Sequence, residues 1–378
     1  MSKKVLLTYF ESGMGHITAI QSIADSLQKY DGLQLINSYV MHEGNNKKML
    51  DYEKFIIKNT KMTNSLKGYG NMCFHILSLF GLKFFRLLHK TTFRGATNGV
   101  LEYFEKVAPD IIVSTHYFMT YCGLEYKKLH PATQVVTYNP DNNVHMWWDN
   151  RKDGVFFVNN DLAYEQALKR HFDRKNLFLV PCTTRKCILD SSCDKQYYRR
   201  KFGLPEDKFT VIVADGAYAK AKADVVAEYL LDTDRQLSLI FVAGKNKKLY
   251  DKYAAIKQNL PDNITLTVLP FTPNIHEYYS ASDVFVCKGG PNAVLDSVYM
   301  HTPVLIDYYA HPIEKATINY FVDTLGCGEA IFNPLKIRQK IESWIDNPSL
   351  LDKYTINTFR IDKTDNGADK IASYIVNC

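Results

Sequence analysis

The sequence is poor in the features that mark disulfide-bonded, metal-binding and disordered proteins. Its eight cysteines are scattered over 378 residues, none forms a C-x-x-C pair, and no histidine pair follows the loose group Cys182, Cys187 and Cys193. A disulfide framework and a zinc finger are therefore not expected, and the thiols fit a reducing cytosol. With 46% hydrophobic and 23% charged residues, the composition is typical of globular domains rather than of a disordered or collagen-like chain.

Long apolar runs are also missing. The first run, Val5–Phe10, ends at Glu11 and is too short for a signal sequence. The nearest candidate for a membrane span, Met72–Leu88, is interrupted by basic side chains before it reaches the ~20 apolar residues that a span requires. The net charge of +6 is too small to indicate nucleic-acid binding. We expect neither a transmembrane helix nor a nucleic-acid partner.

The order of apolar runs predicts an α/β protein with two domains. In the first half, a strand at Val5–Phe10, a glycine turn, a helix with apolar residues at 3.6 spacing and a strand at Leu33–Val40 form a βαβ unit. Three more buried strands are predicted at 110–115, 133–138 and 155–158. After Pro181 the sequence becomes polar and charged, and residues 182–200 are interpreted as a linker.

The second half repeats the pattern. Its strands are predicted at 209–214, 237–242, 264–269, 284–287 and 302–307. Each of them ends in a loop rich in glycine, proline or polar residues, and ligands of open α/β sheets bind at the carboxyl ends of the strands. We therefore expect two Rossmann-like domains, 1–185 and 195–365, whose parallel sheets face each other across a cleft, with the last helix, 366–378, packing back on the first domain.

One glycine turn in the second half suggests phosphate binding. The segment Lys288–Asn292, KGGPN, follows a predicted strand and precedes a predicted helix. Such a turn lets backbone N–H groups and the helix N-terminus approach a phosphate. Asp296 lies one turn into that helix, where a carboxylate can accept hydrogen bonds from ribose hydroxyls. A plain tight turn with a surface aspartate is the alternative interpretation.

The other glycine turn lies in the first half. The segment Gly13–His16, GMGH, lacks the third glycine and the acidic residue of the dinucleotide fingerprint, which disfavours NAD. Its glycines leave space above the first strand, and we expect His16 to point into it. A histidine in such a place can act as a general base near neutral pH. The alternative is a histidine that only caps the helix and packs locally.

Positive charge and large apolar side chains are concentrated in the segment Asp51–Arg94. It contains eight basic and two acidic residues, so its net charge of +6 equals that of the whole chain. This mixture is typical of a helix that lies on an anionic membrane. The residues expected at that surface are Phe80, Lys83, Phe84, Arg86 and Lys90. A core-facing helix with a solvated basic side is the alternative.

Taken in order, these motifs resemble the family 28 glycosyltransferases, and most closely the branch of the monogalactosyldiacylglycerol synthases and processive diacylglycerol glucosyltransferases. The segments that carry the resemblance are Gly13–His16, Asp110–Thr115, Val136–Thr137 with His145 and Trp148, Lys288–Gly290 with Asp296, and Pro312–Lys315 leading to Asn319–Phe321. The family implies a GT-B fold and an inverting transfer from a UDP-sugar. It also implies that the reaction needs neither a cofactor nor a metal.

The resemblance further implies a role for individual residues. On the donor side these are Phe271 and Thr272 in the uracil loop, Gly216 and Ala217 near the diphosphate, Gly289, Gly290 and Asn292 in the phosphate turn, Asp296 at the ribose and Glu314 in the sugar-binding stretch. On the acceptor side they are His16 as the base, with Gly15, His145, Trp148 and the basic segment.

The leading hypothesis is an inverting hexosyltransferase with a lipid acceptor such as diacylglycerol. We expect it to be cytoplasmic and peripheral on the inner face of a membrane. A nucleotide-sugar 2-epimerase of the same architecture is one alternative. A degenerate GT-B subunit is another, because Ile313 stands where the family usually has a sugar-binding Gln and Pro291 where it often has a Gly. The Asp232–Asp234 segment, an Asp-x-Asp, is expected to be a solvated turn rather than a metal site.

Overall fold

The computed structural model describes residues 2–10, 14–65, 69–216 and 221–378. They form two compact units. The first unit consists of Met1–Lys186, Ala310–Ile313 and Thr364–Cys378, and the second of Cys187–Tyr309 and Glu314–Lys363. Two residues that the sequence singled out, Gly13 and Ala217, lie outside the described residues.

The first unit is built on a six-stranded parallel sheet. Its strands are β1 (Lys3–Thr8), β2 (Leu33–Ser38), β3 (Ile111–Ser114), β4 (Gln134–Tyr138), β5 (Val155–Val158) and β6 (Leu177–Leu179). They lie side by side in the order β2-β1-β3-β4-β5-β6, so the direction in which strands are added reverses between β1 and β3. The helices are α1 (Met14–Leu27), α2 (Val40–Glu43), α3 (Lys47–Ser65), α4 (Tyr69–Lys90), α5 (Arg94–Val107), α6 (Tyr117–Leu129) and α7 (Asp161–Lys169).

The second unit repeats this plan. Its strands are β7 (Phe209–Ala214), β8 (Leu237–Gly244), β9 (Ile264–Pro270), β10 (Val284–Lys288), β11 (Val304–Tyr308) and β12 (Gly328–Ala330), in the order β12-β11-β10-β7-β8-β9. Here the order reverses between β7 and β10, and every pairing is parallel. The remaining α-helices of the chain are α8 (Lys186–Leu189), α9 (Lys195–Phe202), α10 (Ala221–Leu231), α11 (Lys247–Ile256), α12 (Ile275–Ala281), α13 (Pro291–Tyr299), α14 (Pro312–Thr317), α15 (Pro334–Asp346), α16 (Ser349–Thr358) and α17 (Gly367–Val376). Of these, α17 belongs to the first unit.

Both sheets are buried because helices cover their two faces. In the first unit, α1 packs with α17 on one face of the sheet through Ile20, Ile23, Ile371 and Ile375. The other face is covered by α5 and α6 with side chains such as Phe104. The strands are nearly continuous runs of Val, Ile, Leu and Phe, and such runs are typical of strands that are buried on both faces.

The structure differs from the sequence-based expectation at two short strands and in the segment between the two predicted domains. The strands β6 and β12 have three residues each, too few to leave a recognisable pattern. The segment 182–200, expected to be an irregular linker, contains most of α9, which begins after the N-cap Asp194. Arg199 of that helix is buried and pairs with Asp283 at 2.6 Å, so the charges of this segment hold it to the second unit.

The helix α4 is interrupted. Gly81 has φ 62° and ψ −168°, a non-helical conformation that glycine adopts without a steric penalty. Two helical pieces therefore meet at this residue. In the described part of the chain, no helix is both long enough and apolar enough to cross a bilayer.

Candidate active site

His16 lies at the point where the strand order of the first sheet reverses. It is in the first turn of α1, which follows β1, and its side chain contacts the residue that follows β3. The Nδ1 atom of His16 is 2.5 Å from the carbonyl oxygen of Thr115, and Thr115 Oγ1 donates to the carbonyl of His16 at 2.9 Å. Because a carbonyl only accepts, Nδ1 carries the proton and the Nε2 lone pair is left to take another.

Burial keeps the two histidines around His16, His116 and His145, uncharged. Burial lowers the pKa of His116 well below its usual range, and it lowers the pKa of His145 to about 3; the charge of His16 acts on both in the same direction. Burial also raises the pKa of Asp141, while His16 and His311 lower it.

Several residues expected on the acceptor side do not reach the surface. His145 is 2% exposed and Trp148 is 1% exposed, so neither can contact a membrane. The expectation that Arg86 faces a membrane is also wrong. Its guanidinium donates two hydrogen bonds to the buried Asp149 carboxylate, at 2.6 and 3.2 Å. Burying the Asp149 carboxylate requires such a partner, so Arg86 holds α4 to the protein instead of facing lipid.

Other members of the basic segment are exposed. Phe80, Lys83 and Lys90 face solvent, and Phe84 is half-buried with its ring 4.7 Å from that of Phe80. Gly15 lies beside His16 in the first turn of α1. Three of the five residues expected at a membrane surface are thus exposed, and their contact with a membrane stays a prediction.

The phosphate turn lies at the reversal point of the second sheet. Gly289 and Gly290 connect β10 to α13, and Gly216 follows β7 with φ 78°. A Cβ on Gly289 would lie 3.1 Å from the Glu314 carbonyl oxygen, so this close approach favours glycine. Gly290 is the N-cap of α13 and brings no side chain to cap it, which leaves the positive end of the helix open to an anion.

The other donor-side residues stand at the same edge of that sheet. Glu314, in the first turn of α14, is buried and forms an ion pair with Lys288 at the end of β10. Asn292 and Asp296 are half-buried on α13.

The loop after β9 contributes an aromatic surface to the same edge. The ring of Phe271 is 50% exposed and has the Lys245 ammonium 5.3 Å from its centroid. Thr272 Oγ1 donates to the Pro270 carbonyl at 2.8 Å, which fixes the loop. An exposed ring at this position offers a surface on which a base can stack.

Sequence reasoning missed a pair of buried carboxyl groups here. Asp215 follows β7 and Asp307 lies in β11, and both are buried. Burial and the charge of Asp215 raise the pKa of Asp307 to about 7, against the effect of Lys222. The sequence does indicate these two residues by their position at the ends of predicted strands, because ligands of a parallel sheet bind at the carboxyl ends of its strands.

No group of three or more His, Cys, Asp or Glu side chains arranged to hold a metal occurs among the described residues. The Asp-x-Asp segment is engaged on the surface, where Asp232 pairs with Arg338 at 2.6 Å and Asp234 with Arg235 at 2.5 Å. These carboxylates have cationic side chains as partners in the surface turn.

Comparison with known proteins gives a consistent result. Residues 218–311 match the glycosyltransferase family 28 C-terminal domain. A probable monogalactosyldiacylglycerol synthase 2, chloroplastic, of Oryza sativa subsp. japonica is 21% identical over 378 residues, covering 95% of this chain and 77% of the relative. The crystal structure of Acinetobacter baumannii MurG superimposes with a TM-score of 0.64 at 14% identity, over 100% of both chains.

The same fold also carries a different chemistry. A UDP-GlcNAc 2-epimerase from Neisseria meningitidis bound to UDP-GlcNAc superimposes with a TM-score of 0.57 at 12% identity, over 99% of this chain and 98% of the other. Structural likeness at this identity establishes the GT-B fold alone. The family match, over residues 218–311, is to a glycosyltransferase domain.

Proposed function

We propose that this chain, a family 28 glycosyltransferase with the GT-B fold, transfers a hexose from a UDP-sugar to a lipid alcohol such as diacylglycerol at a membrane surface. The observation that carries the proposal is the His16 ring, whose Nδ1–H is held by the Thr115 carbonyl so that Nε2 can accept a proton. The lipid class is supported by the similarity to a probable monogalactosyldiacylglycerol synthase.

In the proposed reaction, His16 Nε2 takes the proton of the acceptor hydroxyl. The hydroxyl oxygen then forms a bond to the anomeric carbon of the sugar, and the bond from that carbon to the β-phosphate oxygen of UDP breaks. The electron pair of the broken bond leaves with UDP, and the configuration of the anomeric carbon inverts. His16 acts here as a general base.

The donor is proposed to bind to the second unit. The open N-terminus of α13 and the Gly289–Gly290 turn support diphosphate binding, since a helix N-terminus stabilises the charge that grows on the leaving group. Phe271 is placed to stack on the uracil and Asp296 to accept from the ribose. We propose that these groups serve without a metal or another cofactor.

Membrane attachment is proposed to involve α4. The exposed apolar side chains of this helix are Met72, Ile76, Phe80 and Leu87. Met72, Ile76 and Phe80 are spaced by four residues, which places them along one side of the piece of α4 before Gly81; Leu87 and the exposed Lys83 and Lys90 follow the break. Apolar side chains flanked by lysines suit an anionic bilayer surface, and we propose that the protein is peripheral on the cytoplasmic, inner face.

The test is to incubate the protein with a panel of UDP-sugars and anionic vesicles, with and without diacylglycerol, and to measure UDP release and the glycolipid product. The proposal expects UDP release with one donor only when diacylglycerol is present, and equal rates with and without EDTA. Conversion of the donor to its 2-epimer in vesicles that lack diacylglycerol would favour the epimerase instead. Binding of UDP without turnover for any pair would favour a degenerate subunit.

A further inference from the structure

A buried hydrogen-bond donor beside His16 has no acceptor. His116 directly follows Thr115, whose carbonyl binds His16, and its side chain is fully buried. Its Nδ1 accepts from the backbone N–H of Phe118 at 3.3 Å, which places the proton on Nε2. Within the described residues, that Nε2–H has no hydrogen-bond partner.

The ring of His116 cannot turn to find one. It is stacked on Phe10, with centroids 4.7 Å apart and planes 16° apart, and it packs against Tyr117 at 4.1 Å. The His16 ring stands nearly perpendicular to it at 4.9 Å. A donor that is buried, fixed and unpaired costs free energy that a bound acceptor atom recovers.

His116 remains a neutral donor at physiological pH. Burial, together with the charges of His16, His145 and His89, keeps its pKa well below the usual range. The ring therefore offers one N–H, and its centroid lies 4.9 Å from that of His16.

We propose that His116 Nε2–H binds a second oxygen of the acceptor, adjacent to the hydroxyl that reacts. The inference rests on the proposed function and makes His116 the residue that favours acceptors with an ester oxygen on the carbon next to the reacting hydroxyl. In such a molecule the hydroxyl donates to His16, and the carbonyl oxygen of the vicinal ester accepts from His116. A 1,2-diacylglycerol has this arrangement, whereas a simple long-chain alcohol lacks the second oxygen.

The experiment compares His116→Leu, which removes the donor, with His116→Gln, whose amide N–H keeps one near the same position. Turnover is measured with 1,2-diacylglycerol and with a long-chain primary alcohol in the same vesicles. We expect the Leu variant to lose about tenfold in kcat/KM for diacylglycerol, as one hydrogen bond predicts, and to keep its rate with the alcohol. The Gln variant should recover most of the loss, and UDP affinity should not change.

A second measurement separates binding from folding. The Leu variant removes an unpaired donor but also the Nδ1 atom that accepts from the Phe118 N–H, so it should melt somewhat lower than the parent but clearly higher than His89→Leu. His89→Leu is the matched control because both ring nitrogens of His89 are hydrogen-bonded, to Tyr52 and to the Phe85 carbonyl. A Leu variant that loses both substrates equally, or melts as low as His89→Leu, overturns the role of His116. A parent that transfers to neither acceptor overturns the proposed function instead.

Discussion

At the scale of single residues, the chemistry depends on which atom of a ring holds a proton. The Thr115 carbonyl fixes the tautomer of His16 in the same way that a carboxylate does in catalytic triads, but without adding a negative charge. His16 therefore gains its orientation from the backbone, and its charge lowers the pKa of the carboxyl of Asp141, which burial raises.

Replacing His16 with alanine should lower turnover by about 10²–10⁴-fold, the usual contribution of a general base. UDP affinity should remain nearly parental, because the nucleotide is proposed to bind to the second unit. The measurements are kcat at saturating acceptor and UDP binding by calorimetry. The control is His130→Ala, a partly exposed histidine paired with Glu105. Near-parental kcat in His16→Ala would remove His16 from the mechanism and leave Asp141 as the candidate base.

Asp307 makes stability depend on pH. Its pKa rises from the ordinary 3.8 to about 7 in the folded protein, so the folded state binds a proton that the unfolded chain releases. The resulting stabilisation is complete below pH 4 and is lost as the pH rises to about 7. We expect Asp307→Asn to lose this part of the pH dependence and to be more stable than the parent at pH 8. Denaturant unfolding at pH 5 and pH 8 tests this, with Asp262→Asn, an exposed aspartate, as the control.

At the scale of elements, α4 combines side chains that face solvent with side chains that hold the helix to the core, and it is broken at Gly81. Before and at the break its side chains include exposed apolar ones such as Ile76 and Phe80; after it, Phe85 packs into the core. Arg86 fastens this second piece through Asp149, which is also held by Arg151 at 2.9 Å. Basic residues of one helix thus divide into those that stabilise the fold and those available for a membrane.

This division predicts that removing a positive charge from α4 weakens vesicle binding at some positions and lowers stability at another. The double variant Lys83→Gln and Lys90→Gln should bind anionic vesicles more weakly, by about 1 kcal/mol for each lysine, with its melting temperature unchanged. Arg86→Gln should lower the free energy of unfolding by about 2 kcal/mol, because Asp149 keeps only Arg151 as a partner.

Vesicle sedimentation at low and high salt, with thermal melting of each variant, measures both effects. Lys336→Gln with Lys353→Gln, exposed lysines of α15 and α16, is the matched control. Sedimentation that responds neither to salt nor to the Lys83 and Lys90 changes would contradict a membrane role for α4.

At the scale of the whole molecule, the same sheet plan is used twice with different loops. Each unit places its candidate residues where the strand order reverses, at β1 and β3 in one and at β7 and β10 in the other. At such a point the loops from neighbouring strands leave in opposite directions, which opens a crevice for a ligand. In the first unit the residues at this point are histidines, and in the second unit they are glycines at a helix N-terminus.

UDP should therefore stabilise the second unit selectively. At a hundred times its Kd, a ligand that binds only the folded state adds about 2.7 kcal/mol. Hydrogen exchange should slow in β7, β10 and α13 when UDP is added, and much less in β1 to β6. Asp296→Ala should weaken UDP binding without changing the melting temperature of the free protein. The control is Asp352→Ala, an exposed aspartate of α16; equal UDP affinity in parent and Asp296→Ala would refute the ribose assignment.

The sequence by itself determined the fold and the order of its elements. Runs such as Phe209–Ala214 were predicted with the bounds that the structure has, because a strand buried on both faces must be apolar throughout. The turns Gly13–His16 and Lys288–Asn292 could likewise be recognised in the sequence, since strand-to-helix turns need particular residues at adjacent positions.

Only the tertiary structure decided what depends on residues far apart in the chain. Arg86 looked like a membrane-facing charge until Asp149, 63 residues away, was found beside it. The unpaired donor of His116 and the raised pKa of Asp307 also arise from burial and from neighbours on other strands. Solvation and hydrogen bonding are set by what surrounds a side chain in space, and local sequence patterns do not contain that information.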